Sequence, residues 1–170
     1  KKLPLYETFS DTTDYSLPVP MMNILNGGAH ANNGLDFQEF MILPIGFNSF
    51  ADSLRSGVEI FHTLKGLLDK ESLSTAVGDE GGFAPALTSN SQALDLIVKS
   101  IEQAGYSPGI DVYLGLDVAS SEFYKNGRYI LSNGESYNNL DFTGYLAELS
   151  SRYPIITVED GISEDDWDGW

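Results

Sequence analysis

Residues 111–160 decide the fold of this 170-residue chain, and they read DVYLGLDVASSEFYKNGRYILSNGESYNNLDFTGYLAELSSRYPIITVED. Two short apolar runs, 112–116 and 155–158, lie near the ends of this stretch, and each is followed at once by an acidic residue. Between them we predict a hairpin over 123–131, around an Asn-Gly turn, and a helix over 141–152. A strand, a helix and a second strand in this order predict parallel neighbours joined by a right-handed crossover.

The residues before this unit predict two antiparallel strands. Apolar runs at 17–25 and 37–43 are separated by a polar, glycine-containing loop of about a dozen residues, a spacing typical of antiparallel neighbours. In front of them, residues 1–16 show no clear periodicity and are interpreted as a lead-in.

Two amphipathic helices are predicted between the antiparallel strands and the β-α-β unit. The first is capped by Asn48 or Ser49. The second is capped by Ser89 or Asn90 and ended by Gly105. The side chains predicted to face the core are Phe50, Leu54, Val58, Phe61, Leu64 and Leu68 in the first helix, and Leu94, Ile97, Val98 and Ile101 in the second.

The predicted element order is β-β-α-α followed by β-α-β, which places the chain in the α/β class. A closed eight-stranded barrel of parallel strands typically needs about 250 residues. Because only four main strands are predicted here, the chain cannot close such a barrel by itself.

The composition is that of an acidic globular protein. The chain has 25 acidic and 9 basic residues, for a net charge of −16, and 42% of its residues are apolar, enough to bury a core. The scattered basic residues disfavour nucleic acid and anionic membranes as main partners, so cations are favoured instead. The absence of cysteine excludes disulfides and agrees with a cytoplasmic protein. The longest uncharged stretch, 15–35, is too rich in proline, asparagine and glycine to span a bilayer.

Two carboxylates stand directly after predicted strands. Asp117 follows the strand at 112–116, and Glu159 follows the strand at 155–158. If these strands are parallel neighbours, both side chains emerge at the carboxyl edge of the sheet, where ligands bind in such folds. Two adjacent carboxylates repel each other, and a hard divalent cation such as Mg²⁺ resolves that repulsion. The alternative is that each acid only caps the helix that follows it.

Three further residues are candidates for chemistry. Glu39 is a lone charge among apolar neighbours, interpreted either as a general acid with a raised pKa or as a partly exposed edge acid. Glu80 lies in a GDEGG loop, which is either a plain turn or a loop that closes an acid over a substrate. His30 is either a loop hydrogen-bonder or a site residue, whereas His62 is interpreted as a helix-flank residue.

The last twelve residues contain six acidic side chains and no basic one. We interpret them as a solvated surface, with Asp165, Asp166 and Asp168 in the first turn of a following helix.

Four long motifs carry a resemblance to a known family. They are LPVPMMNILNGGAHANNGLDFQEFMILP at 17–44, AVGDEGGFAP at 76–85, LDVASSEFY at 116–124 and YPIITVEDGISEDDWDGW at 153–170. In this order and spacing they resemble the enolases (phosphopyruvate hydratases) of bacterial type, over nearly the whole chain.

The resemblance implies an α/β fold that is a partial TIM-like barrel, with β-β-α-α before regular βα units and about half of the barrel present. In this interpretation residues 1–16 are the tail of the enolase N-terminal domain, and residues 17–170 are the first half of the barrel domain. A sheet with an open edge beside the last strand predicts that two copies pair there or that the chain is only marginally stable.

The resemblance also implies an activity, the reversible dehydration of 2-phosphoglycerate to phosphoenolpyruvate with Mg²⁺ as cofactor. The implied site residues are Asp117 and Glu159 as metal ligands, Glu80 and Glu39 as catalytic acids, and His30, Gln38 and Glu39 as substrate contacts.

In enolases the lysine base, the third metal carboxylate and further substrate contacts come after the segment that resembles this chain. We therefore expect the 170-residue chain to be inactive alone, and the complete enzyme to be a cytoplasmic homo-oligomer acting on a small molecule. A non-catalytic binding or structural fragment is the alternative. Another metal-dependent member of the superfamily is disfavoured by the GDEGG and His30 loops.

Overall fold

The computed structural model describes residues 3–9, 11–12 and 14–170, so residues 1, 2, 10 and 13 of the predicted lead-in lie outside the described residues. The strands are β1 (Met22–Asn26), β2 (Glu39–Leu43), β3 (Tyr113–Asp117), β4 (Tyr124–Lys125), β5 (Arg128–Ile130), β6 (Ser136–Tyr137) and β7 (Ile155–Glu159). The helices are α1 (Phe50–Lys70), α2 (Asn90–Gln103) and α3 (Asn139–Arg152), with short 3₁₀ turns at Leu5–Thr8, Gly28–His30, Asp79–Gly81 and Ser120–Phe123.

The larger sheet has four strands in the order β1-β2-β3-β7, and it does not close within the described part of the chain. β1 and β2 are antiparallel, as are β2 and β3, whereas β3 and β7 are parallel across the α3 crossover. The predicted α/β order is therefore confirmed. The short strands β4, β5 and β6 form a separate antiparallel sheet inserted before α3.

β1 is shorter than the apolar run that predicted it. The run begins at residue 17, but pairing with β2 begins only at Met22. Pro18 and Pro20 have no amide hydrogen to donate to a neighbouring strand. The apolar side chains of Leu17 and Val19, on either side of Pro18, are exposed.

α1 forms where predicted, but part of its buried face was predicted wrongly. Ser49 caps the helix by accepting a hydrogen bond from the Asp52 amide at 3.1 Å. Val58 is 48% exposed, whereas Ile60 is fully buried. The face against the sheet contains Ser53, Ser56 and Gly57 beside its apolar residues. These small residues allow close approach to the strands, and because they are not apolar they do not contribute to the apolar periodicity of the sequence. Phe50 and Leu54 lie outside this buried face and are exposed, contrary to the prediction. Leu64 and Leu68 are buried as predicted.

The predicted cap and end of α2 and the predicted Asn-Gly turn are confirmed. Ser89 caps α2 by accepting a hydrogen bond from the Gln92 amide, and Gly105 follows the helix with φ at +91°. Asn126 and Gly127, both with positive φ, join β4 to β5 as a type I′ turn requires.

The acidic end of the chain corrects one prediction. Asp166 was interpreted as solvated surface, but it is only 8% exposed and accepts hydrogen bonds from the Tyr129 hydroxyl at 2.8 Å and the Asn139 amide at 3.3 Å. Burial acts to raise the pKa of Asp166. The hydrogen bonds from Tyr129 and Asn139, and a third from the Gly169 amide, outweigh burial and hold this pKa below its ordinary value. Tyr129 in turn stacks on Phe142 of α3, so the end of the chain is fastened to the core.

Within the described residues, none of the helices combines the length and the apolar character that crossing a membrane requires.

The buried face of α1 can be tested with a pair of truncations. Replacing the buried Ile60 by alanine is expected to lower the free energy of unfolding by about 2–4 kcal/mol, because it leaves a cavity. The matched Val58→Ala change on the exposed face is expected to cost less than about 0.5 kcal/mol. Urea unfolding of both variants measures the difference. Equal losses would show that α1 packs with the face first predicted.

Candidate functional site

Strand register aligns four polar side chains across one edge of the larger sheet. Asn26 pairs with Glu39, Glu39 pairs with Asp117, and Asp117 pairs with Glu159. This edge holds the carboxyl ends of β1, β3 and β7 and the start of the antiparallel β2. Adjacent strands are about 4.8 Å apart, so three carboxylates stand side by side. We refer to Glu39, Asp117 and Glu159 as the acidic row.

Two loops bring further side chains to the acidic row. Glu80 lies in the 3₁₀ turn Asp79–Gly81 and has φ at +61°. His30 ends the 3₁₀ turn that follows β1. One nitrogen or oxygen atom from each of His30, Glu39 and Glu80 lies within 4.8 Å of the other two. The turn therefore places Glu80 at the sheet edge, beside Glu39 and His30.

His30 has an unused polar atom beside Glu39. Its Nδ1 is 3.5 Å from the Glu39 Oε1, and both side chains are more than four-fifths buried. The same Nδ1 is shielded from solvent, and no described residue forms a hydrogen bond with it. The His30 imidazole therefore lies beside Glu39 with its Nδ1 buried and without a hydrogen bond from the described residues.

Gln38 is positioned by its backbone. Its amide donates to the Asp117 carbonyl and its carbonyl accepts from the Gly27 amide, both at 3.0 Å. These bonds fix the residue at the junction between the glycine-rich loop and β2, next to Glu39.

Burial, together with the neighbouring carboxyl groups, raises the pKa of two members of the acidic row, Glu39 and Asp117. The pKa of Glu39 is raised to about 7, chiefly by burial. The hydrogen bond and the charge of Glu80 raise it further, and the charges of Asp117 and Glu159 have smaller effects. Burial and the neighbouring Glu159 also raise the pKa of Asp117, against a hydrogen bond from the Ala119 amide. Glu39 is thus partly protonated near neutral pH, which is the state that a general acid needs.

Sequence reasoning missed one residue of this edge, Asn26. From the sequence it belongs to the polar loop that follows the apolar run at 17–25, yet it is fully buried and its side chain donates to the Asp79 carbonyl. No local pattern signals such a contact, because its partner lies 53 residues further along the chain.

Comparison with protein families gives a match that fits this geometry. The family described as enolase, C-terminal TIM barrel domain, matches residues 14–170. This chain belongs to that family. The match supports the partial-barrel fold and an enzyme family of lyase and isomerase type. The enolase match begins at residue 14, within the lead-in, and the predicted domain boundary at residue 17 stays a prediction.

Enolase-superfamily enzymes use a lysine or histidine base together with one or two Mg²⁺ ions, so the donor set of the acidic row can be tested against that ion. Asp117 and Glu159 are register neighbours, and the charge of Glu159 raises the Asp117 pKa. Oxygen donors with uncompensated negative charge suit Mg²⁺, which prefers carboxylates and water in octahedral geometry. The residues present therefore fit the ion. The tighter group of His30, Glu39 and Glu80 contains neither Asp117 nor Glu159.

The raised Glu39 pKa predicts a specific pH dependence of stability. The folded state holds this proton up to about pH 7, whereas the same glutamate in the unfolded chain releases it near its ordinary pKa of 4.5. The folded chain therefore binds more protons in this interval, and its stability falls as the pH rises through it. The expected loss is about 2 kcal/mol between about pH 5 and about pH 8.

Glu39→Gln is expected to remove most of this loss, so that the variant is more stable than the parent at the higher pH. Urea unfolding at both pH values in the presence of a chelator measures the effect. Glu102→Gln, on the exposed face of α2, serves as the control. An unchanged pH dependence in Glu39→Gln would contradict the assignment.

Proposed function

We propose that this chain provides the acid side of an enolase, which interconverts 2-phosphoglycerate and phosphoenolpyruvate by loss and gain of water. The observation that carries the proposal is the placement of Glu80 against Glu39, next to Asp117 and Glu159 in the same row. A carboxyl group protonated near neutral pH and an adjacent cation-binding pair are what this dehydration requires.

The dehydration breaks two bonds of the substrate. A base removes the proton from carbon 2, and the hydroxyl group leaves from carbon 3 as a double bond forms between the two carbons. The hydroxyl group is a poor leaving group unless it receives a proton. We assign that proton to the Glu80–Glu39 pair, which donates it to the departing oxygen so that water is released. The base itself is the lysine that the resemblance places beyond this sequence.

The remaining residues bind and orient the substrate. His30 presents its unused Nδ1 beside Glu39, and Gln38 is held next to Glu39 by two backbone hydrogen bonds. Both are proposed as substrate contacts. Asp117 and Glu159 would hold Mg²⁺, which when bound offsets the negative charge that develops on the substrate carboxylate. The complete enzyme is proposed to be a cytoplasmic homo-oligomer.

The first test uses the complete enzyme that contains this chain. Glu80→Gln and Glu39→Gln are each expected to lower the rate of phosphoenolpyruvate formation by about 10²–10⁴-fold, because the leaving oxygen loses its proton donor. Exchange of the carbon 2 proton with deuterated solvent should persist, because the base is untouched. The ultraviolet absorbance of phosphoenolpyruvate and NMR of the substrate measure the two steps.

The Glu102→Gln control should retain full activity, and the 170-residue chain alone should show none because it lacks the base. Loss of proton exchange together with dehydration in Glu80→Gln would contradict the assigned role. Failure of the complete protein to act on 2-phosphoglycerate would favour the non-catalytic alternative.

A second test concerns the metal. Excess Mg²⁺ is expected to stabilise the chain by about 1–3 kcal/mol, observed as a rise in the melting temperature over a chelator control. Asp117→Asn and Glu159→Gln should each remove most of that rise. Asp168→Asn makes the same charge change on an exposed residue near the end of the chain and should keep it. A rise that responds equally to all three changes would indicate general screening of the negative charge.

A further inference from the structure

Asn26 lies between the acidic row and the loop that carries Glu80. It is the fourth member of the aligned positions at the sheet edge, paired in register with Glu39, and it is fully buried. Its Nδ2 donates to the carbonyl of Asp79, the residue before Glu80, and its Oδ1 accepts from the Asn23 amide. The Asn26 side chain therefore connects a rigid strand to the turn that holds a catalytic acid.

The loop is shaped to receive this side chain. A Cβ at Gly78 would lie 2.6 Å from the His30 carbonyl oxygen and 2.7 Å from the Asn26 Nδ2, and one at Gly82 would lie against the Asn26 Oδ1 and 2.9 Å from the Leu25 amide nitrogen. Real Cβ atoms hardly ever approach that closely, so only glycine fits at either position without displacement. The glycines at both ends of the Asp79–Gly81 turn thus make room for the Asn26 amide group.

Few other bonds hold the turn in place. The Gly78 amide donates to the Gly82 carbonyl at 2.8 Å, which closes the loop on itself without fixing it to the sheet. The Phe83 backbone is bonded to Ile24 and Asn26, but this contact lies after the turn. Among the hydrogen bonds of the described residues, only the Asn26–Asp79 bond and the Glu80–Glu39 contact itself tie the turn to the strands.

Glu80 adopts a left-handed backbone conformation that is costly for a residue with a side chain. Such a conformation persists only where the surroundings impose it. We propose that Asn26 is a positioning residue that holds the Asp79–Gly81 turn so that Glu80 faces Glu39 before substrate arrives. This proposal rests on the function proposed above for Glu80, but its structural part can be tested without any activity.

The test compares two changes at Asn26 with a change at a neighbouring amide. Asn26→Asp keeps the volume of the side chain and its acceptor for Asn23, removes the donor to Asp79 and adds a carboxyl group beside Glu39. Asn26→Ala removes both contacts and covers the case in which the buried charge of the aspartate prevents folding. Asn33→Ala is the matched control, because the Asn33 amide donates to the Asn26 and Pro85 carbonyls and does not contact the turn.

The first readout is amide hydrogen exchange in the 170-residue chain. In both Asn26 variants, the Gly78 and Gly81 amides are expected to exchange about ten-fold faster, while the amides of α3 keep their protection. Asn33→Ala should leave the exchange of the Gly78 and Gly81 amides unchanged relative to that of α3. Parent-like protection of the turn in both Asn26 variants would overturn the proposal.

The second readout is steady-state kinetics in the complete enzyme. Asn26→Asp is expected to lower kcat about ten-fold with KM within about two-fold, because substrate binding by the remaining residues is preserved. A freed turn with unchanged kcat would overturn the positioning role. If the parent enzyme does not convert 2-phosphoglycerate at all, the proposed function fails, and hydrogen exchange still decides whether Asn26 holds the turn.

Discussion

The repulsion among carboxyl groups at one sheet edge is the constraint on which the site depends. Strand register places Glu39, Asp117 and Glu159 side by side, and no described Lys or Arg forms an ion pair with any of them. At such spacing three full negative charges in a partly buried edge are unfavourable, and the fold has two ways to relieve them. A proton can bind to one group, or a cation can bind between the others.

The surroundings of each carboxyl group in the acidic row determine which of these two solutions it favours. Glu39 is largely buried and also faces Glu80, so its pKa rises to about 7 and it is the member that keeps a proton. Asp117 receives a hydrogen bond from the Ala119 amide, which favours its charged form and opposes the effect of burial. Neighbouring carboxyl groups of the same kind thus differ in how readily they hold a proton, and this difference suits the proposed division into one acid and a pair of cation ligands.

The shared sheet edge could be predicted from the sequence because it follows from topology. Two apolar runs ending in Asp117 and Glu159, joined by one helix, are expected to be parallel neighbours with both acids at one edge, and an antiparallel β2 brings Glu39 to the same edge. The buried face of α1 was partly missed because Ser53, Ser56 and Gly57 pack against the sheet without any apolar signal. Asp166 was missed because its burial depends on Tyr129, 37 residues away. Contacts of this kind depend on the whole fold and leave no trace in local periodicity.

Asn26 shows why the sheet edge alone cannot make the site. Strands fix Glu39, Asp117 and Glu159 through backbone pairing, so their positions are as rigid as the sheet. Glu80 has no strand to hold it, since it lies in a turn between α1 and α2. Its hydrogen bond with Glu39 is one contact that holds the turn at the sheet edge, and a contact of the turn's own backbone supplies the other. The buried Asn26 side chain at the end of β1 fits between Gly78 and Gly82 and donates a hydrogen bond to the turn, which fixes the turn relative to the strand. The GDEGG sequence is then explained at its ends as well as at its centre: the glutamate is the proposed acid, and the outer glycines, Gly78 and Gly82, leave the space in which the Asn26 side chain reaches the turn.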